Sequence, residues 1–190
     1  MSLGHILLGM LREPASGWDL GQHFDRGARF YWRADLSQIY PALSKLEAEG
    51  WVKGRVEKSP IGPDRRVYRI TRAGRQELKS WLRSGPLFRT ERLAHVAQLI
   101  FMDELGDPDE TLRFVEEMRD QISARLSSLK AIEAHILRDS NDWEAMTDAE
   151  FNQYAALRQG IAVVAARKEW CAETSTRLKR RGTFKRPPGK

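Results

Sequence analysis

Val115, Ile122, Leu129 and Ile136 recur at intervals of seven, with Met118, Leu126 and Ile132 beside them. Leu157, Val164, Cys171 and Leu178 do the same, flanked by Tyr154 and Ile161. Seven residues are two turns of helix, so each set forms an apolar stripe along one side of a long helix. The pattern predicts helices over 109–138 and from Thr147 or Asp148 to about Arg180. Trp143 is a local anchor in the loop between them. A further helix over 90–105 precedes them, ended by Gly106 and Pro108. Stripes this long have little core of their own, and a second copy of the chain is a natural cover. Val115, Ile122, Leu129, Ile136, Leu157, Ile161, Val164, Cys171 and Leu178 are therefore the expected dimer interface. One monomeric antiparallel bundle is the alternative. Cys171 sits on the stripe, so it reads as a packing thiol rather than a redox sensor.

The first half is built differently. Leu3, Ile6, Leu7, Met10 and Leu11 mark a short helix ended by Pro14. Ser16 can cap a second over 17–25, carrying Trp18, Leu20 and Phe24. After Gly27 and the aromatic cluster Phe30, Tyr31 and Trp32, Asp35 and Gln38 have capping-box spacing for a third helix, which Gly50 stops. Strand-like runs around Val52–Val56 and Val67–Ile70 flank the turn-rich SPIGPDR. Thr71 then caps a fourth helix over 72–84, with Leu78, Trp81 and Leu82 inward. Three helices, a hairpin and a closing helix in about 85 residues is the order of a winged helix-turn-helix. The expected fold is mainly α. Residues 1–86 form a winged helix-turn-helix, 87–182 a helical dimerisation and effector domain, and 183–190 a disordered basic tail.

Charge follows the same division. Residues 1–86 carry 15 basic and 9 acidic side chains, a net +6, whereas 87–176 carry 10 and 17, a net −7. A basic first half suits contact with a polyanion. On a helical wheel, Leu36, Ile39, Leu43 and Leu46 share one face of the third helix and should pack on the first two. The opposite face holds Ser37, Gln38, Pro41, Ser44, Lys45 and Ala48. Small side chains let a helix sit deep in a major groove, where Ser37, Gln38 and Ser44 reach base edges and Lys45 a phosphate or guanine. Tyr40 lies at the edge, its ring inward and its hydroxyl toward phosphate. Pro41 removes a backbone donor, which points to a late start or a kink. Lys58, Arg65 and Arg66 near the hairpin tip, and Arg33 before the third helix, are the phosphate candidates.

Other classes have little support. No Gly-rich phosphate loop, metal-ligand cluster or nucleophile with a paired base is visible, so neither an enzyme nor a metal or cofactor is expected. One cysteine excludes a disulfide framework and points to a reduced, cytoplasmic protein. No apolar run is long enough for a membrane helix, and the N-terminus lacks signal-peptide features. The competing reading is a winged helix used for protein contact, its basic face meeting an acidic partner.

The string YWRADLSQIYPALSKLEAEGWV, followed by GPDRRVYRITRAGRQELKSWL, resembles the PadR family of bacterial transcriptional regulators. The aromatic pair Tyr31-Trp32, Ser37-Gln38-Ile39-Tyr40-Pro41, Leu46-Glu47, Gly50, Tyr68-Arg69-Ile70-Thr71 and Ala73-Gly74-Arg75 carry the resemblance. It covers residues 3–84; the second half matches in length and helix pattern. The resemblance implies a dimeric repressor, less often an activator, that binds double-stranded DNA at an inverted-repeat operator. It also implies, for some members, release when a small aromatic molecule binds. Gln38, Tyr40, Pro41 and Lys45 take the recognition-helix roles on this reading, and Arg65 and Arg66 the wing roles. Phe101, Phe114, Tyr154 and Trp170 are the candidate lining of an effector pocket, expected between the two domains or at the dimer seam.

Overall fold

The computed structural model describes residues 2–26, 32–58, 64–87, 93–139 and 142–185. The chain divides into two compact units, Met1–Arg89 and Thr90–Lys190.

The first unit runs α1 (Ser2–Met10), β1 (Ala15–Ser16), α2 (Gly17–Arg26), α3 (Leu36–Ala48), β2 (Val52–Glu57), β3 (Arg65–Ile70) and α4 (Arg72–Arg83). The antiparallel sheet has the order β1-β3-β2. Val52 pairs with Ile70 at the base of the hairpin and Glu57 with Arg65 at its outer end. β1 was not expected, being too short to show a two-residue alternation. It forms because Ser16 serves two elements at once. Ser16 pairs with Val67 across the sheet. Its hydroxyl also accepts from the Asp19 amide at 3.2 Å, while the Asp19 carboxylate accepts from the Ser16 amide and hydroxyl at 2.9 and 2.7 Å.

One core holds the unit together. Leu7, Leu8 and Leu11 meet Leu20 and Phe24 of α2, Ile39, Leu43 and Leu46 of α3, and Val52, Tyr68 and Ile70 of the sheet. Burying a leucine or phenylalanine fully contributes about 1.5–3 kcal/mol, so this cluster fixes α3 firmly. Several apolar side chains of this unit lie outward instead. Trp18 is 57% exposed and Leu82 63%, and Leu36 and Val56 are also exposed. Trp18 precedes Leu20 by two residues, close to half a helical turn away. Leu36 lies in the first turn of α3, its Cδ2 2.8 Å from where a Cβ at Gly21 would stand.

The second unit contains α5 (Ala94–Ile100), a 3₁₀ turn at Met102–Leu105, α6 (Pro108–Asp139), a 3₁₀ turn at Trp143–Ala145 and α7 (Asp148–Lys185). The helix expected over 90–105 is thus broken at Phe101; 90–92 lie outside the described residues. No residue of α5 is buried, so packing does not hold the helix straight up to Gly106, whose φ of 70° ends the turn. The 38 residues of α7 span about 57 Å. α7 passes its expected end and continues through 183–185, which corrects the disordered reading of those three residues. Positions 186–190 lie outside the described residues. Trp143 is exposed, its ring 6.1 Å from that of Phe151.

α6 and α7 form an antiparallel hairpin. Arg158 donates to Glu133 at 2.8 Å and Lys179 lies 2.7 Å from Glu116, so rising numbers on one helix meet falling numbers on the other. The seven-residue stripes face each other inside this hairpin. Val115, Leu129, Leu157, Ile161, Val164 and Cys171 are buried within a single chain, and Ile122, Ile136 and Leu178 are half-buried. This corrects the expected dimer interface for the six buried residues. A side chain already covered by its own hairpin has no area left for a partner. Burial also raises the Cys171 thiol pKa. A raised value means less thiolate at neutral pH, so native Cys171 should react with a thiol reagent far more slowly than the unfolded chain. Comparing modification rates with and without denaturant checks this.

Candidate nucleic-acid interface

α3 begins with the expected capping box. The Gln38 amide donates to Asp35 Oδ1 at 3.2 Å, and the Asp35 amide donates to Gln38 Oε1 at 3.3 Å. The Ser37 hydroxyl also donates to Asp35. Ser37 therefore works for the cap as well as lying on the outer face. Gln38 spends its amide oxygen there, leaving the NH2 end as the one suited to a base acceptor. Pro41 does not delay the helix, which is continuous from Leu36 to Ala48. The cap at one end and the burial of Ile39, Leu43 and Leu46 along the other face outweigh the lost backbone donor.

Ser37, Pro41, Ser44 and Ala48 form an exposed line of small side chains along α3. Gln38 and Lys45 stand on one flank. Lys45 Nζ lies 3.9 Å from Glu49 Oε1, a loose contact. Tyr40 and Glu47 stand on the other flank. Tyr40 is 44% exposed and its ring covers Gly17, where a Cβ would come within 2.5 Å of the ring. The tyrosine thus packs on the start of α2 and keeps an open edge.

The wing is less simple than the sequence suggested. Arg65 extends past Asp19 and Glu57 at 4.0 and 3.8 Å, distances that hold it weakly and leave it exposed. Arg66 is held tightly by both oxygens of Glu47, so its expected role as a free phosphate contact does not fit its geometry. Lys58 is exposed at the outer end of β2. Pro60, Gly62 and Pro63 of the tip lie outside the described residues. Arg33 is exposed at a cleft of about 380 Å³ with Trp18, Gln22, Asp35, Leu36 and Gln38. Trp18 is the residue the sequence reading missed here. Its offset from Leu20 and Phe24 was the available signal that it points away from the core.

Three carboxylates in this unit lie below their ordinary pKa range. Asp19 is lowered chiefly by the Ser16 amide, Asp35 by the Ser37 hydroxyl, and Glu47 by the Gly54 amide and then Arg66. Each is more acidic folded than unfolded. Each therefore stabilises the fold above the ordinary carboxylate range, and that contribution is lost as pH falls below about 4. Thermal melts should drop through that window. Asp35→Asn should melt lower at neutral pH and show a shallower acid limb.

The proposed effector lining does not converge within the helical unit. Phe101 is 65% exposed, and Phe114 packs beside Val115, Met118 and Cys171. Tyr154 and Trp170 are sixteen residues apart on α7, or about 24 Å. No one pocket within a single copy of this unit includes both. Among the described residues, no group of acidic, histidine or cysteine side chains is arranged to hold a metal ion, and no helix is long and apolar enough to cross a membrane.

Comparison with known proteins agrees with both units. Residues 6–80 match the transcriptional regulator PadR-like family, and residues 96–179 match the virulence activator alpha C-terminal family. The chain is 27% identical over 188 residues to the probable transcriptional regulator Rv1176c of Mycobacterium tuberculosis, covering 94% of this chain and 98% of that one. It is 27% identical over 161 residues to the negative transcriptional regulator PadR of Bacillus subtilis, covering 84% and 87%. The crystal structure of B. subtilis PadR in complex with operator DNA is similar with a TM-score of 0.78 at 25% identity, over 94% of this chain and 99% of that one. The same protein in complex with p-coumaric acid gives 0.71 at 26% identity, over 93% and 95%. A winged unit with a capped third helix, followed by a long helical hairpin, thus gives this chain a PadR-like domain joined to a virulence activator alpha C-terminal domain, the make-up of a transcriptional regulator similar to B. subtilis PadR over nearly its whole length.

Proposed function

We propose that the chain is a homodimeric repressor that reads an inverted-repeat operator and is released by a small aromatic acid. Residues 1–86 read DNA, while 87–182 pair two copies and receive the effector. It acts in the cytoplasm and catalyses no reaction. The observation that carries this is the exposed line Ser37–Pro41–Ser44–Ala48 on a helix whose other face is locked into the core, with Arg65 and Lys58 on the adjoining wing. B. subtilis PadR, bound to operator DNA in its crystal structure, aligns with nearly all of this chain and is named a negative regulator. Ser37, Gln38, Ser44 and Lys45 would enter the major groove, with Tyr40, Arg33, Arg65 and Lys58 on phosphates. Two such units would place half-sites about 10 bp apart, or a multiple of that.

With the α6–α7 seam closed within the chain, pairing would use the apolar surface that remains. Ile100, Phe101, Leu105 and Trp170 are exposed, and Ile122, Ile136 and Leu178 are half-covered. An aromatic acid is the effector class because B. subtilis PadR is seen with p-coumaric acid. A ligand that shifts the helical unit would change half-site separation without touching a DNA contact.

Fluorescence anisotropy against duplex DNA from upstream of the gene, at several salt concentrations, tests the reading. Binding to a short inverted repeat that outcompetes random DNA and weakens with salt supports it. Weak binding indifferent to sequence, there and in a pool of random duplexes, counts against it and favours a protein-contact role. Adding p-coumaric acid to the bound complex tests the effector.

A further inference from the structure

Glu47 lies on the flank of α3 beside the wing, and three elements meet at its carboxylate. Oε1 accepts from the Gly54 amide of β2 at 2.9 Å. Arg66 of β3 donates from Nη2 to Oε1 and Oε2 at 3.0 and 2.9 Å. The same guanidinium stands 5.8 Å from the centre of the Tyr68 ring. A Cβ at Gly54 would fall 2.6 Å from Arg66 Nε and 2.9 Å from Glu47 Oε1, so the strand is bare where the ion pair crosses it.

This contact joins elements of unequal stiffness. α3 is anchored by Ile39, Leu43 and Leu46, all buried in the core. The outer end of β2–β3 has only exposed side chains from Arg55 to Glu57 and at Arg65 and Arg66, and a two-stranded ribbon is marginal by itself. A carboxylate beside a surface that approaches DNA also costs non-specific affinity. Glu47 is useful there if what it gains is geometry.

We propose that Glu47 is a positioning residue for DNA reading. It ties the wing to the recognition helix through Gly54 and Arg66, so the two meet the duplex in one register, and it turns Arg66 from a phosphate ligand into part of a clamp. The inference rests on the DNA-reading function above.

The test uses the full-length protein, a duplex enriched from a random pool by the wild type, and a scrambled duplex of equal length. Glu47→Gln keeps an acceptor for Gly54 but loses the charge. It should lose about tenfold in affinity for the enriched duplex, the size of one lost base contact, with affinity for the scrambled duplex unchanged or higher. Arg66→Lys should fail much as Arg66→Gln does, because lysine lacks the guanidinium fork. In the free protein, Glu47→Gln should speed hydrogen exchange at the Gly54 amide. Full discrimination by Glu47→Gln overturns the proposal. So does an Arg66→Lys variant that retains affinity while Arg66→Gln loses it with a salt slope lower by about one, the signature of a phosphate contact. If the wild type enriches no duplex, the DNA-reading function fails instead. The clamp is then judged on Gly54 exchange alone, and unchanged exchange in Glu47→Gln overturns it.

Discussion

Ser44→Glu is expected to lower operator affinity at least a hundredfold while leaving the melting temperature within a degree or two of the wild type. Ser44 lies at the middle of the exposed line on α3, between Pro41 and Ala48, and opposite the buried Ile39, Leu43 and Leu46. Glutamate is a good helix former, so the helix itself loses nothing from the change. In a major groove, however, the longer side chain displaces the helix from the base edges and brings a charge toward phosphates. Juxtaposed like charges cost several kcal/mol, and about 2.7 kcal/mol is a hundredfold in affinity. Ser44→Ala, which adds neither bulk nor charge, should cost no more than a single base contact. Anisotropy titrations of both variants, with melts run alongside, decide the matter. An Ser44→Glu protein that binds the operator normally would move the reading surface off this helix altogether.

Local chemistry made most of the winged unit legible in the sequence. The Asp35–Gln38 capping box, the Thr71 cap and the Gly50 stop depend on two or three neighbouring residues, and all three are found in the structure. The stripes in the second half were equally legible as helical periodicity. Their partner was not, because Val115 and Cys171 bury just as well against the same chain as against a second copy, and spacing along one helix carries no label for what faces it. The wing arginines failed for a related reason. Arg65 and Arg66 are adjacent and chemically identical, yet one leans loosely past Asp19 and Glu57 while the other is captured by Glu47, nineteen residues earlier. Only the register of β2 on β3, which puts Gly54 opposite Tyr68, brings that carboxylate and guanidinium together. Gly74 is a similar case. Its place in Ala73-Gly74-Arg75 supported a resemblance without saying why a glycine stands inside a helix.

The structure supplies the reason, and with it the largest stability effect expected here. A Cβ at Gly74 would lie 2.1 Å from the Trp51 carbonyl oxygen and 2.9 Å from its carbon. That carbonyl cannot swing aside. It already accepts from the Thr71 amide at 2.9 Å, while the Thr71 hydroxyl accepts from the Gly74 amide at 3.1 Å and donates to the neighbouring Gly50 carbonyl at 2.7 Å. Alanine would therefore push the start of α4 off the β2 entry and strain the cap in the same step. The displacement would reach His5, which bridges α1 to α4 by its 3.0 Å contact with Glu77 and its stacking on Trp81 at 5.0 Å. Helix propensity favours alanine by about 1 kcal/mol, but overpacking against fixed backbone costs about 1–3 kcal/mol or more, and here the clash is with a committed main-chain acceptor. A net loss of about 2 kcal/mol should lower the melting temperature of a unit this size by about 10 °C or more. Gly9→Ala is the matched control. Gly9 also sits inside a helix, but a Cβ there meets nothing within 4 Å, so the same substitution should raise stability by a few tenths to about 1 kcal/mol. Calorimetry on the two variants should move the winged-unit transition in opposite directions. A shift of the same sign in both would mean that helix propensity, and not the Trp51 carbonyl, governs the glycine at position 74.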